Sequence, residues 1–402
     1  GRRRRGLVFG VWVFVLLVAV FGVVLNVPLV KGDSGTIYIR ADGTIDPPTA
    51  PITTLDNVTY TLTGNITSSG DGIIVERDNI TIDGDWYTVQ GAGSGMGMNL
   101  ADRSNVTVKD MRIAEFENGI WLGYSTGNTV SGVNAAINNR YGVWLDFCKN
   151  SSVSCNNIAN NQEAGIKLDG GSGNSIDGNN VTGNNGCGMW FYGSLNNSVS
   201  DNNISDNGAH GIRLEFFSPF NSISGNNITA NKGYGIELDY YVGGNTVNGN
   251  NIANNDGGIG AYWESSGNKF YHNNIINNTN QVYSSWNVWD DGCPSGGNYW
   301  SDYVGQDLNE DGLGDLPYVI GGVDEDRYPL INHWGSQRPL ANFTYSEHPS
   351  VAKPVTFDAS ASYDRDGFFT NYTWDFGDSN VTSVSDPIIT HVYAALGTYT
   401  VN

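Results

Sequence analysis

One short pattern recurs at nearly constant spacing through most of the chain, and it restricts the fold more than any other feature. Its clearest copies run from Asn197 to Leu214 and from Asn221 to Leu238. Three apolar columns can be followed independently. The first is Val108, Val130, Val153, Ile176, Val199, Ile223, Val247 and Phe270, with steps of 22 to 24 residues. The second is Ile113, Ala135, Ile158, Val181, Ile204, Ile228, Ile252 and Ile275, and the third Ile120, Val143, Ile166, Met189, Ile212, Ile236, Ile259 and Val282. Three columns keeping step over eight copies are not a composition bias; they define a repeat architecture.

Each column sits in a very short β-branched run bounded by Asn, Gly, Asp and Ser, which is strand and turn chemistry without a helical period. Helical repeats are excluded. Three short strands per turn describe a parallel β-helix, in which equivalent residues stack about 4.8 Å apart from rung to rung. The pairs Asn156-Asn157, Asn179-Asn180, Asn202-Asn203, Asn226-Asn227, Asn250-Asn251 and Asn273-Asn274 fall at one corner of successive rungs. A stacked carboxamide column hydrogen-bonds along the axis and suits the left-handed backbone of a tight corner, so these residues read as structural.

On the Asn-Asn-Ile and Gly-Ile-x-Leu columns, and on a closing segment Gly297-Asn-Tyr-Trp-Ser-Asp-Tyr303 followed by an acidic loop and Tyr328-Pro-Leu330, the chain resembles right-handed parallel β-helix repeat proteins. The resemblance is in particular to the NosD-like group and related carbohydrate-binding and sugar-hydrolysing modules, and it covers about 54–330. It implies the fold. It leaves function open, because this solenoid hosts lyases, hydrolases, adhesins and accessory proteins alike. The NosD likeness implies a role in copper-site maturation, but His210, His272, His333, His348 and His391 are scattered and Met96 and Met98 form a lone pair.

The 402 residues have room for more than one domain, and 20 Lys+Arg against 41 Asp+Glu give a net charge of -21. Such a surface repels phosphate, so nucleic acid is not an expected partner. Cys148, Cys155, Cys187 and Cys293 form no C-x-x-C pair; Cys148 and Cys155 either bridge a rung edge or are simply small thiols. Arg2 to Arg5 precede an uncharged apolar run, 6–30, which is expected to be one hydrophobic helix acting as a signal anchor or a cleaved export signal. Either delivers the rest to the cell surface or the outside, membrane-anchored if uncleaved. The expected order is signal 1–31, linker 32–52, β-helix of about ten rungs 53–286, acidic cap 287–335 and a last domain 336–402. That last domain resembles a polycystic-kidney-disease (PKD) module, on Pro354-Val-Thr-Phe-Asp358, Trp374-Asp-Phe-Gly-Asp378 and His391-Val-Tyr393. The resemblance implies a small immunoglobulin-like β-sandwich with Trp374 in its core, here with its final strand cut short. The fold class is therefore all-β apart from the N-terminal segment.

The third strand gives the sharpest site argument. In Gly-Ile-x-Leu-x the Ile and Leu point inward and the x residues outward. One outward column reads Trp121, Trp144, Lys167, Trp190, Arg213, Glu237; the next reads Gly123, Asp146, Asp169, Tyr192, Glu215, Asp239, Tyr262. Sugar rings stack on Trp and Tyr faces while their hydroxyls need acceptors and donors, so the strip has the chemistry of a polysaccharide groove. Trp121, Trp144, Trp190, Tyr192, Glu237 and Tyr262 are the expected substrate contacts. Asp146 and Asp169, or Glu215 and Asp239, fall about 5 Å apart on adjacent rungs, within the range for glycoside hydrolysis; Lys167 or Arg213 is the alternative proton acceptor of a lyase. Polysaccharide binding, polysaccharide cleavage, a structural adhesin or surface spacer, and a copper-site accessory role all stay open. In the cap, Asp307, Asn309, Asp311 and Asp315 match the first half of a Ca²⁺ loop, although position 12 is Tyr318 where a Glu belongs; no organic cofactor is expected.

Overall fold

The computed structural model describes residues 34–335, 341–346, 351–362 and 371–401. The apolar run expected as a signal or anchor helix lies outside them, and among the described residues no helix is long and apolar enough to cross a membrane. The repeat folds into three parallel sheets. In sheet 1, Val108 pairs with Val130, Val130 with Val153 and Val153 with Ile176. In sheet 2, Ile113, Ala135 and Ile158 are partners. In sheet 3, Ile120, Val143, Ile166, Met189, Ile212 and Ile236 continue in one unbroken register. These residues form one buried column per sheet, each fully shielded from solvent.

Sheets of 12, 11 and 11 strands make about eleven turns, against the ten or so expected. Strand Ile37–Ile39 lies inside the segment read as a linker, yet it pairs in parallel with Ile73–Val75. Its Ile-Tyr-Ile alternation already buries both isoleucines; the prolines that suggested a linker come after it. At the other end Tyr299–Trp300 pairs with Asn274–Ile276, so the cap begins as a further rung.

The interior is not wholly apolar. Asn156, Asn179, Asn202, Asn226, Asn250, Asn273 and Asn298 are buried, and each Nδ2 donates to the Oδ1 of the next at 2.9 Å. The backbone N–H of each donates to the same oxygen, for example Asn179 to Asn202 at 2.8 Å. Two further ladders, absent from the sequence reading, run parallel to it: one from Asn138 through Asn161 and Asn184 to Asn278, the other from Asn174 through Asn197 to Asn287. The left-handed backbone belongs not to these asparagines but to the residue before each pair, such as Cys155, Asp201 and Gly225, with φ of 54° to 67°. That placement frees the Asn to turn inward. The second Asn of each pair, Asn157, Asn180, Asn203, Asn227 and Asn251, forms a separate exposed ladder.

All three ladders point their donors towards the C-terminal end, where the cap accepts them. Asp326 receives the Asn298 amide at 2.7 Å and the Trp300 indole at 2.9 Å. Asp324 receives the Asn287 amide at 3.1 Å and the Ser284 hydroxyl at 2.8 Å, and Gln281 Oε1 receives Asn278. Burial pushes Asp326 up to about 7, opposed by the N–H donors gathered on it. Trp289 stacks on Phe270 with centroids 4.3 Å apart and closes the apolar channel above them.

Cys148 and Cys155 do not bridge: Cys148 is buried with its thiol on the Leu122 carbonyl, and Cys155 is exposed. Among the described residues the C-terminal module has two small antiparallel sheets, one of Thr344–Tyr345, Pro354–Asp358 and Ile388–Val392, the other of Tyr372–Asp375 and Val381–Val384. Trp374, Phe357 and Phe376 form its core, as the motif implied.

Asn202→Ala removes the acceptor of two donors on Asn179 and strands the carbonyls of Ile176 and Ser200. It should cost about 3 kcal/mol or more, against less than about 1 kcal/mol for the neighbouring exposed Asn203→Ala. Paired thermal melts check this, and equal melting shifts would refute the inward ladder.

Candidate functional site

On the outer face of sheet 3 the strands bring together the residues that sequence spacing had placed in adjacent columns. Trp121, Trp144, Lys167, Trp190, Arg213 and Glu237 are successive partners, as are Gly123, Asp146, Asp169, Tyr192, Glu215 and Asp239. The face is divided along its length. Towards the N-terminal end Trp121 and Trp144 stack with centroids 5.8 Å apart, and Tyr141 meets Trp144 edge-on. The Trp144 indole donates to Asp169 at 2.9 Å, and the Trp190 indole to Glu215 at 2.9 Å. Each ring is thereby tied to a carboxylate on the next rung. Trp121 leans on Asp146 without closing a hydrogen bond, and burial, with Asp169 beside it, raises the Asp146 carboxyl above its ordinary value.

Lys167 departs from expectation. Its ammonium lies 3.3 Å over the Trp190 ring and 3.1 Å from Asp169, and the side chain is only 4% exposed. It faces outward from the solenoid but is roofed by its neighbours, because a long aliphatic stem beside a Trp lies flat rather than projecting. Burial pushes its pKa down. It acts here as a brace under Trp190 and Asp169, not as an amine presented to solvent.

Arg213 organises the C-terminal half. Its guanidinium reaches Asp239 at 2.9 Å, Glu237 at 3.0 Å and Glu215 at 3.3 Å. His210, passed over as scattered, lies beside them: its Nε2 is 3.2 Å from Glu237. The Tyr234 amide donates to His210 Nδ1 at 3.1 Å, which leaves the ring proton on Nε2, and burial holds the imidazole neutral, down to about 4. Neither His210 nor Arg213 aligns on Glu237 Oε2 as a hydrogen bond, and that buried oxygen is left without a donor. Burial first, and Asp239 and Glu215 after it, lift the Glu237 carboxyl to about 7 against the pull of Arg213. A residue expected only to touch substrate is thus the carboxyl of this face raised furthest towards neutral pH. Tyr262, at the end of the face, bonds the Tyr234 hydroxyl at 2.6 Å and stacks on Tyr283.

Tyr141, Cys187, His210 and Tyr234 form a third column, one position before the Gly of each strand. The signal was available as a vertical reading of the repeat, but its residue types vary so much that no pattern announced it. In the cap, the acidic loop is folded onto its own backbone. Asp307 accepts the amides of Asp311 and Gly312, Asp311 that of Leu313, and Asp315 that of Leu308. Asn309 shares the Asp311 amide with Asp307. Among the described residues no three His, Cys, Asp or Glu side chains converge as a metal cage.

The family model described as a right handed beta helix region matches residues 52–203, 96–252 and 196–289, and the PKD domain model matches 336–402. No curated protein matches the chain in sequence. Among solved structures it is similar to the A-module of a mannuronan C-5 epimerase of Azotobacter vinelandii, at 17% identity over 59% of this chain and 83% of that one, with a TM-score of 0.38. A periplasmic alginate epimerase gives 14% identity over 58% and 76%, with a TM-score of 0.44. The tailspike of Escherichia coli bacteriophage HK620, in complex with a pentasaccharide, gives 15% over 60% and 54%, with a TM-score of 0.40. At this level of likeness none of them speaks to what this chain binds. With its three in-register parallel sheets and a family match that runs from 52 to 289, the chain belongs to the right-handed β-helix family and carries a PKD domain at its C-terminal end.

Proposed function

We propose that this is an exported cell-surface protein that binds polysaccharide along the outer face of sheet 3. One observation carries the reading: among the three described faces of the solenoid, it is on this one that aromatic rings and carboxylates stand in adjacent columns, with the indoles of Trp144 and Trp190 tied to Asp169 and Glu215. The corresponding outward positions of sheets 1 and 2 are mostly Ser, Thr and Asn. Rings fixed at one-rung and two-rung intervals, about 5 and 10 Å, suit the flat faces of successive sugars, and the carboxylates between them accept sugar hydroxyls.

A second reading, cleavage of the bound chain, draws its support from Glu237. A carboxyl held to about 7 is suited to give a proton to a departing glycosidic oxygen, while Asp239 or Glu215, each in contact with Arg213, serves as the second carboxylate.

Trp144→Ala should weaken glycan binding by about 1 to 3 kcal/mol and leave the solenoid folded, because the ring stands outside the core. Calorimetry on any glycan retained in an array screen measures it. Unchanged affinity, or no glycan retained, would leave only a structural role. If the protein also cleaves, Glu237→Gln should abolish product while retaining binding, and wild-type rate should fall as pH rises through about 7.

The same group gives a stability test. The Glu237 carboxyl sits higher in the folded than in the unfolded chain, so its contribution is complete below the unfolded value and is lost as pH rises through about 7. Asp326, also raised to about 7, adds to this loss and His210, lowered to about 4, opposes it below about pH 6.5, so the difference carries the test: from about pH 5 to 7 the wild-type Tm should fall relative to that of Glu237→Gln. A slope identical in the variant would place the titration elsewhere.

For the cap loop, Asp307, Asn309, Asp311 and Asp315 are the oxygens we assign to Ca²⁺, which would take the place of the backbone amides they now accept. Chelation should then lower Tm in the wild type and not in Asp311→Ala. A wild type indifferent to chelator, with no heat on Ca²⁺ titration, would make the loop an acidic turn.

A further inference from the structure

At the ends of the seven successive sheet 3 strands from Asn118–Gly123 to Gly257–Ala261 the chain turns a corner, and after Asp102 on the rung before, the corner residues make a column of their own: Tyr124, Phe147, Gly170, Gly193, Phe216, Tyr240 and Trp263. All seven have φ between 45° and 67°. In that region glycine is at ease and asparagine is tolerated, whereas a bulky side chain is an outlier. The chain uses glycine twice and an aromatic ring five times. Burial does not explain the rings: Tyr124 is 63% exposed, Phe147 53% and Trp263 70%. Neither the backbone nor the core asks for them.

What the rings do is stack. Tyr124 and Phe147 lie parallel with centroids 5.3 Å apart, Phe216, Tyr240 and Trp263 follow one another tilted by 33° and 34° at 6.4 and 6.1 Å, and one position further along the chain Phe217 and Tyr241 stack in parallel at 5.4 Å. Where the two glycines interrupt the column, Tyr192 of the adjacent face leans across and stacks on Phe216 at 5.1 Å. The corner column and the sheet 3 face are therefore one continuous surface. Its charge is one-sided. Asp146, Asp169, Glu215 and Asp239 face it, with Glu237 among them at about 7, while Lys167 and Arg213 are already held by those same carboxylates, Arg140 over Tyr141 is held by Glu117 and Glu163, and His210 is neutral. A ligand bearing carboxylates would be repelled, while hydroxyl groups have acceptors to donate to.

Resting on the polysaccharide reading above, we propose that the corner rings are its stacking rail and that the occupant is an uncharged hexopyranose polymer lying along the solenoid axis. The ring faces of the sugars sit on the exposed aromatics, and their hydroxyls turn towards the carboxylates of sheet 3. An acidic glycan does not fit this surface.

Phe147→Asn and Tyr240→Asn test the rail, because asparagine suits the left-handed corner better than the ring it replaces. Each variant should keep or raise Tm and still lose about tenfold in affinity for uncharged glycan. The probes are a panel of uncharged β-linked glucans and mannans and, in parallel, a polyuronate, all in chelator at low and high salt. Retention of an uncharged glycan with little salt dependence, and no retention of polyuronate at low salt, is the expected result. Polyuronate bound at low salt and lost in Trp144→Ala would overturn this inference and leave the polysaccharide reading standing. Uncharged glycan bound equally by both Asn variants, or a drop in their Tm in place of the affinity loss, would also overturn the rail. If the wild type retains neither class, the inference falls together with the reading beneath it.

Discussion

The buried asparagine ladders are the interaction on which the rest of the solenoid depends. A β-helix turn this narrow cannot fill its corners with apolar side chains alone, since the backbone there leaves amides and carbonyls facing inward. Each buried Asn satisfies them: its Oδ1 takes the amide and the Nδ2 of the rung before, and its own Nδ2 reaches a carbonyl and the next Oδ1. Buried amides left alone would each cost about 1–3 kcal/mol, so the ladders turn a liability repeated on every rung into register. A slip by one residue would break all three at once.

The ladders also have a direction, and this explains the cap. Every step donates towards the C-terminal end, so the last rung presents donors that a further rung is not there to take. Asp326, Asp324 and Gln281 meet them. A carboxylate is well matched to the end of aligned N–H dipoles, which is why an acidic segment closes the stack and why Asp326 tolerates full burial. The closing motif around Tyr299 and Trp300 is thus part of the hydrogen-bonding of the repeat.

Because the interior holds the register, the exterior of sheet 3 is free to carry Trp, Lys, Arg, Glu and Tyr in succession without disturbing the fold. Arg213 then concentrates three carboxylates while the turn leading into its own strand supplies a neutral His210, and burial in that cluster lifts Glu237 and leaves Asp239 paired. The corner column alongside shows the same freedom, with rings held where the backbone would favour glycine. Rigid rungs make both arrangements repeat at the spacing of the sheet.

The sequence by itself determined the period, the three apolar columns, their inward direction and the two outward columns of sheet 3, because a repeat that stacks in register fixes which residues are neighbours. It also marked one asparagine column and the motifs of the C-terminal module. Only the tertiary structure decided which Asn of each pair turns inward, that two more ladders accompany the first, and that Ile37–Ile39 adds a turn within an apparent linker. It alone roofed Lys167 beneath Trp190 and brought His210 to Glu237. The physical reason is that stacking register follows from sequence spacing, whereas the depth and tilt of a long side chain depend on what its neighbours on the adjoining rungs leave open.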